Sequence, residues 1–172
     1  HDQYYFRRRT EMVAGQVRPP RLDLANESLL RAHIHAVWLA TVRLPLRDSI
    51  ENVIETDDFN ALPLRPEVAR QIQLPESMRA ELSERVWALL ADDREELQRH
   101  AWFSERWLRE VIEQAPSEFD KAFDRWRDLY RAAKRQLEAA RAEEDRATDL
   151  KGQERAKERQ EEARRQLNLL LQ

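Results

Sequence analysis

The sequence predicts a mainly α-helical fold: a helical bundle with a short extended N-terminal segment and a long charged C-terminal helix. Three observations predict it. Glycine occurs only twice in 172 residues, so tight turns and phosphate-cradling loops are scarce. Charged residues make up 37% and hydrophobic residues 41% of the chain. That charged share lies well above the roughly 25% of an ordinary globular protein and suits solvated helix faces around a modest core. Apolar residues also recur at three- and four-residue spacing through most of the chain after Asn26.

Residues 1–24 read as an extended segment. Tyr4, Tyr5 and Phe6 favour strand, and Gly15 with Pro19-Pro20 interrupts the stretch behind them. A strand here needs a partner sheet that the remainder does not offer, so the partner is expected upstream of His1. Residues 25–116 read as a helical domain. Asn26 suits an N-cap, with Glu27 in the first turn and Leu30, Ile34, Val37 and Trp38 on one face. That helix is expected to reach Val42 and to be stopped by Pro45. A short helix around residues 47–55 and a polar loop from Thr56 to Pro66 come next.

Pro75 opens another helix, whose apolar series is Met78, Leu82, Val86, Leu89 and Leu90. Ser104 caps a further one, with Trp107, Leu108, Val111 and Ile112 inward, and Pro116 is expected to end it. Residues 117–172 read as a long helix or arm. From Ser117 the series Phe119, Phe123, Trp126, Tyr130, Ala133, Leu137 and Ala140 keeps a heptad rhythm. Carried to Leu150, such a helix spans about 50 Å. Its aromatic seam is expected to dock on the helix carrying Leu82 and Val86 or the one carrying Trp107 and Val111. Residues 141–166, almost wholly polar, are expected to project as a solvated arm or to pack elsewhere in a larger protein.

Charge is unevenly distributed. Residues 1–35 carry a net +2, residues 36–117 a net −6 and residues 118–172 a net +1. The N-terminal stretch is therefore the electrostatic footprint open to an anionic partner. The absence of cysteine excludes disulfides, zinc-thiolate sites and cysteine nucleophiles. No apolar run nears the ~20 residues that span a bilayer, and no signal-peptide pattern is present. A cytoplasmic protein without a membrane partner is the expectation. The missing initiator Met and the terminal Leu167, Leu169, Leu170 and Leu171 suggest a segment of a longer chain.

No phosphate loop, Gly-flanked nucleophilic serine or zinc motif occurs, so neither a catalytic residue nor a cofactor or metal site is assigned. Arg7-Arg8-Arg9 behind three aromatic residues suits single-stranded nucleic acid through stacking and phosphate contacts, or serves as a solvated strand end. Arg18 and Arg21 flank Pro19-Pro20 and could hold phosphates or simply solvate a loop. His33 and His35 lie two apart, about 200° around a helix, and would face one metal only in a strand; one packed and one exposed imidazole is the plainer reading. Trp38, Trp87, Trp107 and Trp126 fall at or beside buried faces and read as core.

Three stretches carry a family resemblance: Asp2-Gln3-Tyr4-Tyr5-Phe6-Arg7-Arg8, Val17-Arg18-Pro19-Pro20-Arg21-Leu22-Asp23-Leu24-Ala25-Asn26-Glu27, and Arg31-Ala32-His33-Ile34-His35-Ala36-Val37-Trp38. They resemble the segment behind the second RecA-like lobe in large bacterial superfamily 2 DNA helicases. The group includes the DISARM phage-defence helicases of the DrmA type and, more distantly, the MrfA-type DNA-repair helicases. Glu161-Glu162-Ala163-Arg164-Arg165-Gln166-Leu167 is similar to a helix before their C-terminal region. Where the family often has proline after the paired arginines, this chain has Arg9. Residues 45–150 carry no motif of the group.

The resemblance implies an accessory helical segment that braces an upstream motor and contacts DNA or a partner protein, with a possible place in phage defence. Arg7, Arg8, Arg9, Arg18, Arg21 and His33 form the candidate nucleic-acid-binding set. ATP and magnesium would belong to motor lobes upstream of His1. The alternative is a helical protein-interaction scaffold without nucleic-acid contact.

Overall fold

The computed structural model describes residues 26–46 and 48–172. Arg7, Arg8, Arg9, Arg18 and Arg21, and with them the extended segment expected over residues 1–24, lie outside the described residues. The described chain is mainly helical, as the periodicity indicates, and its long C-terminal portion is helical too.

Helix α1 runs Glu27–Val42 and is capped by Asn26, whose side chain accepts from the Leu29 amide at 3.2 Å. Its buried stripe is Leu30, Ile34, Trp38 and Val42, every fourth residue. Arg43 ends it in the left-handed region at φ 51°, its amide donating to the Leu39 carbonyl. Glycine usually takes that position; a chain with two glycines uses an arginine. A single 3-10 turn, Ile50–Asn52, stands where a short helix was expected.

The loop after it is more apolar inside than its composition suggests. Ile54 and Leu64 form an antiparallel bridge, with the Glu55 amide donating to the Pro63 carbonyl and the Arg65 amide to the Val53 carbonyl, both at 2.8 Å. Asp58 Oδ1 accepts from the Asn60 and Ala61 amides and shapes the tip. Val53, Ile54 and Leu62 are thereby pressed into the core. Leu62 is fully buried at φ 46°, a left-handed conformation that costs about 1–2 kcal/mol for a residue with a Cβ. Pro66, expected to close the loop, instead opens α2 (Pro66–Gln71) from its first position, where a missing N–H costs nothing.

Helix α3 spans Glu76–Leu89 and buries Leu82 and Val86. Leu90, one residue past its end, continues that four-residue stripe inward, whereas Leu89 is 65% exposed. The expected inward face of Met78 and Leu89 is thus corrected. Both lie on the side of α3 that borders α1 at the surface. A 3-10 turn at Ala91–Asp93 and the single-turn α4 (Arg94–Leu97) lead to α5, Glu105–Lys121. Ser104 caps α5 by accepting from the Trp107 amide at 3.1 Å. Trp107, Leu108, Val111, Ile112 and Ala115 are buried along it.

Pro116 does not end α5. Its ring removes one backbone hydrogen bond, yet packing on both sides holds the helix: Ala115 is buried, and Phe119 lies 5.9 Å from the Trp38 ring. The break falls later, at Ala122–Phe123, where the Phe123 amide bonds back three residues to Asp120. The expected continuous helix from Ser117 to Leu150 is therefore split. Helix α6 is Asp124–Arg146, and α7, Leu150–Leu171, returns antiparallel against it.

Arg127 fastens the break. It is 6% exposed, donates from Nε to the Leu62 carbonyl at 2.9 Å and from Nη1 to the Asp120 carbonyl at 2.8 Å, and pairs with the Asp120 and Asp124 carboxylates. Burial alone would lower its pKa, but the two carboxylates outweigh it and raise the value. The sequence shows only a surface i,i+3 pair with Asp124; the fold makes it the link between loop, break and hairpin.

The polar stretch 141–166 is no single projecting helix. Ala133 and Ala140 on α6 and Ala156 and Ala163 on α7, seven apart in each helix, are all buried with Leu137 in the hairpin seam. Small side chains let the helices approach closely, and Arg159 bridges to Glu143 at 2.6 Å. The far end of α7 closes on the bundle. Trp126 donates to the Leu170 carbonyl at 2.7 Å and Ser49 to the Leu171 carbonyl at 2.8 Å, satisfying two of the last carbonyls of the helix. Leu167 and Leu171 pack against the core, and Leu169 faces solvent. Tyr130 is buried, stacked 5.0 Å from Trp126, while Phe119, Phe123 and Trp126 are half-buried. Phe119 meets Trp38 of α1, and Trp126 meets the end of α7; docking of the whole seam on α3 or α5 is not what the chain does.

Candidate functional site

Helix α1 is the hub from which the described candidate residues project. One side meets α5. There Glu27 accepts from Trp107 Nε1 at 2.9 Å and from Arg31 at 3.0 Å, and these two donors, Trp107 foremost, hold its carboxyl below the usual range. His35 is half-buried on the same side. Burial first, then the nearby Arg31, lower its pKa; Glu118 and the Val111 backbone oppose them, and Nε2 has no hydrogen-bond partner among the described residues. Wrapped around this contact is an aromatic cluster in which Trp102 lies 4.9 Å from Trp107 and Trp87 packs edge-on to Phe103 at 5.3 Å.

The other side of α1 faces α3 across an open trough. One cavity of about 510 Å³ lies between His33, Ala36, Val37 and Ala40 of α1 and Val86 and Leu89 of α3. A second, of about 400 Å³, adjoins it toward the end of α1, between Ala40, Arg43, Met78, Glu81 and Arg85. Ala40 and Arg85 line both, so the two adjoin along one α1–α3 groove. The floor is aliphatic, and the charged groups stand along the rim.

Of the six candidate nucleic-acid residues, His33 alone falls among the described residues. It is exposed at the rim of the groove, beside alanines and Arg85 rather than within a cationic patch. His33 and His35 face different neighbours, as their spacing requires, and no group of three or more metal-ligating side chains lies among the described residues. The groove itself escapes a reading by single residues. Its signal in the sequence is the row Ala36, Val37 and Ala40 beside the buried stripe of α1, more apolar surface than one interface needs.

No helix of the described residues is long and apolar enough to cross a membrane. Comparison with known protein families, with characterised proteins and with solved structures finds no match to this chain.

Proposed function

We propose that this chain is the helical region behind the motor of a bacterial superfamily 2 DNA helicase, bracing the motor and offering a surface to DNA or to a partner protein. One observation supports the reading above others. The N-terminal resembling stretches run into α1, and Leu30, Ile34 and Trp38, which belong to that helix, are the residues around which the bundle packs. A bundle built on α1 moves with whatever α1 is attached to, as a brace must. The ATP and magnesium sites would lie in the motor, and Arg7, Arg8, Arg9, Arg18, Arg21 and His33 would be the DNA-facing groups.

Sequencing the gene upstream of His1 tests the assignment. A Gln-x-x-Gly-Arg-x-Gly-Arg-like arginine-finger motif ahead of the Asp2–Arg8 stretch is the expected result. A start codon directly ahead of His1, or an upstream domain without motor motifs, would overturn it.

A second reading, a protein-interaction scaffold without DNA contact, is favoured by the groove between α1 and α3 and by the paired charges of the hairpin. In the hairpin, acids stand within reach of most bases, so few counterions would be released on binding DNA.

A further inference from the structure

The groove between α1 and α3 has the dimensions of a helix-binding site, and we propose that it takes an amphipathic helix of a partner protein whose flanks carry acidic side chains. The inference stands on the groove and goes beyond the helicase reading; it holds with or without a motor upstream.

The groove runs along α1 from Leu30 to Arg43, about 20 Å, which matches three to four turns of a second helix. Its two cavities, about 510 and 400 Å³, lie side by side and share Ala40 and Arg85 in their walls. Ala36 and Ala40 put nothing beyond a methyl on one wall, so a partner backbone can approach closely. On the other wall Leu89 and Met78 are 65% and 37% exposed, poised at the edge to close over an apolar stripe. Apolar anchors at three- and four-residue spacing are what such a groove selects.

Charge sets the flanks. Between Arg31 and Arg43 helix α1 has no acidic residue. Among the described residues, the charged groups along the groove are Arg43, Arg85 and the acid Glu81, which forms a loose, solvent-exposed ion pair with Arg85 at 3.8 Å. Arg43 forms no ion pair with the described residues. Arg43, Arg85 and Glu81 leave the rim with a net +1 in a stretch whose net charge is −6, so the positive charge is a local feature and not a general basic surface. Two arginines over an aliphatic floor are poor equipment for a phosphate backbone, whose binding scales with the number of phosphates neutralised. They suit carboxylates flanking an apolar helical face.

The test uses the full chain and a fluorescein-labelled synthetic peptide of about fourteen residues. The peptide has leucine and alanine on one helical face and glutamate on both flanks. A twin carries lysine in place of glutamate. Anisotropy titrations should show saturable binding of the glutamate peptide and at least about tenfold weaker binding of the twin. Leu89→Asp, at an exposed site where folding is retained (checked by circular dichroism), should weaken binding by at least about tenfold. Arg43→Glu with Arg85→Glu should reverse the peptide preference. Three results would overturn the proposal. They are absence of binding, equal affinity for the two peptides, and self-association of the chain that Leu89→Asp abolishes, which would assign the groove to a second copy. No DNA enters the assay, so its outcome is separate from that of the gene-sequencing test.

Discussion

The bundle over Glu27–Phe123 and the hairpin over Asp124–Leu171 are both helical, yet they are held by different means. The bundle closes on large aliphatic side chains that are fully buried, among them Leu30, Ile34, Ile54, Leu62, Leu97 and Leu108. The hairpin closes on four alanines and Leu137. Burying a leucine contributes about 1.5–3 kcal/mol and burying a methyl about 0.8 kcal/mol, so the seam supplies a small fraction of the bundle's driving force per turn. The hairpin compensates with strong helix formers along both arms and with a root fastened to the bundle by Trp126, Tyr130, Leu167 and Leu171. Its order is therefore expected to depend on that root more than the bundle's does.

The largest effect is expected where the bundle is densest. Leu108→Ala should destabilise the chain by about 2–5 kcal/mol in a urea melt monitored by tryptophan fluorescence, because Leu108 has no exposed surface. A loss below about 1 kcal/mol would mean that the core relaxes into the gap and that the two regions differ less than their side chains suggest.

Trp126→Ala tests the root. Trp126 is half-buried and caps the Leu170 carbonyl, so its loss should cost about 2 kcal/mol, below the ~3–5 kcal/mol of a fully buried tryptophan. Hydrogen exchange should show α7 losing protection while α1 and α5 keep theirs. Uniform loss across the chain would show that bundle and hairpin unfold as one unit. Ala156→Leu, placed in the seam, should separate α6 from α7 at a cost of about 1–3 kcal/mol and raise exchange in the hairpin alone.

The two regions also differ in how far they can be read from sequence. In the bundle, Asn26 and Ser104 as caps and the inward faces of α1 and α5 come from local chemistry, because each cap bonds within three residues and each face repeats every third or fourth. What local chemistry cannot supply is tertiary compensation. Pro116 alone argues for a helix end, and only packing of Ala115 and Phe119 across it keeps α5 intact. Leu62 sits in a stretch that looks polar because Asp57, Asp58 and Asn60 crowd around it, yet the Ile54–Leu64 bridge turns it inward. In the hairpin, alanine is ambiguous. Ala156 and Ala163 among charges look like solvated helix, and they become a seam only when α6 supplies Ala133 and Ala140 opposite. The groove shares this ambiguity: Ala36 and Ala40 count as surface until α3 stands beside them.

Proton binding sharpens the comparison from the side of α1. His35 has its pKa below the ordinary 6.5, by burial first and then by Arg31. The unfolded chain therefore takes up this proton more readily than the folded one. Stability is full above about pH 6.5 and falls as pH drops through the folded value. His35→Gln cannot titrate, so its stability relative to the parent should improve between about pH 7.5 and about pH 5.5. Equal slopes for the two proteins would place His35 in water. Glu27 and Glu118, both shifted down from 4.5, lose their contribution only at lower pH and so do not confound the window.

The smallest effect is expected at the tip of the hairpin. Ala147–Asp149 turns the chain, and Gly152 lies in the first turn of α7, where a Cβ would stand 2.6 Å from Asp149 Oδ1. That atom is the end of a side chain that makes no capping bond, so it can swing aside at little cost. Against this small clash stands the gain of replacing glycine in a helix, roughly 0.5–1 kcal/mol in favour of alanine. Gly152→Ala should therefore change global stability by less than about 1 kcal/mol, with a neutral or stabilising sign, and should slow exchange at the start of α7. A loss above about 1 kcal/mol would show that the Asp149 side chain is fixed, and that the turn, rather than the root, holds the two arms of the hairpin together.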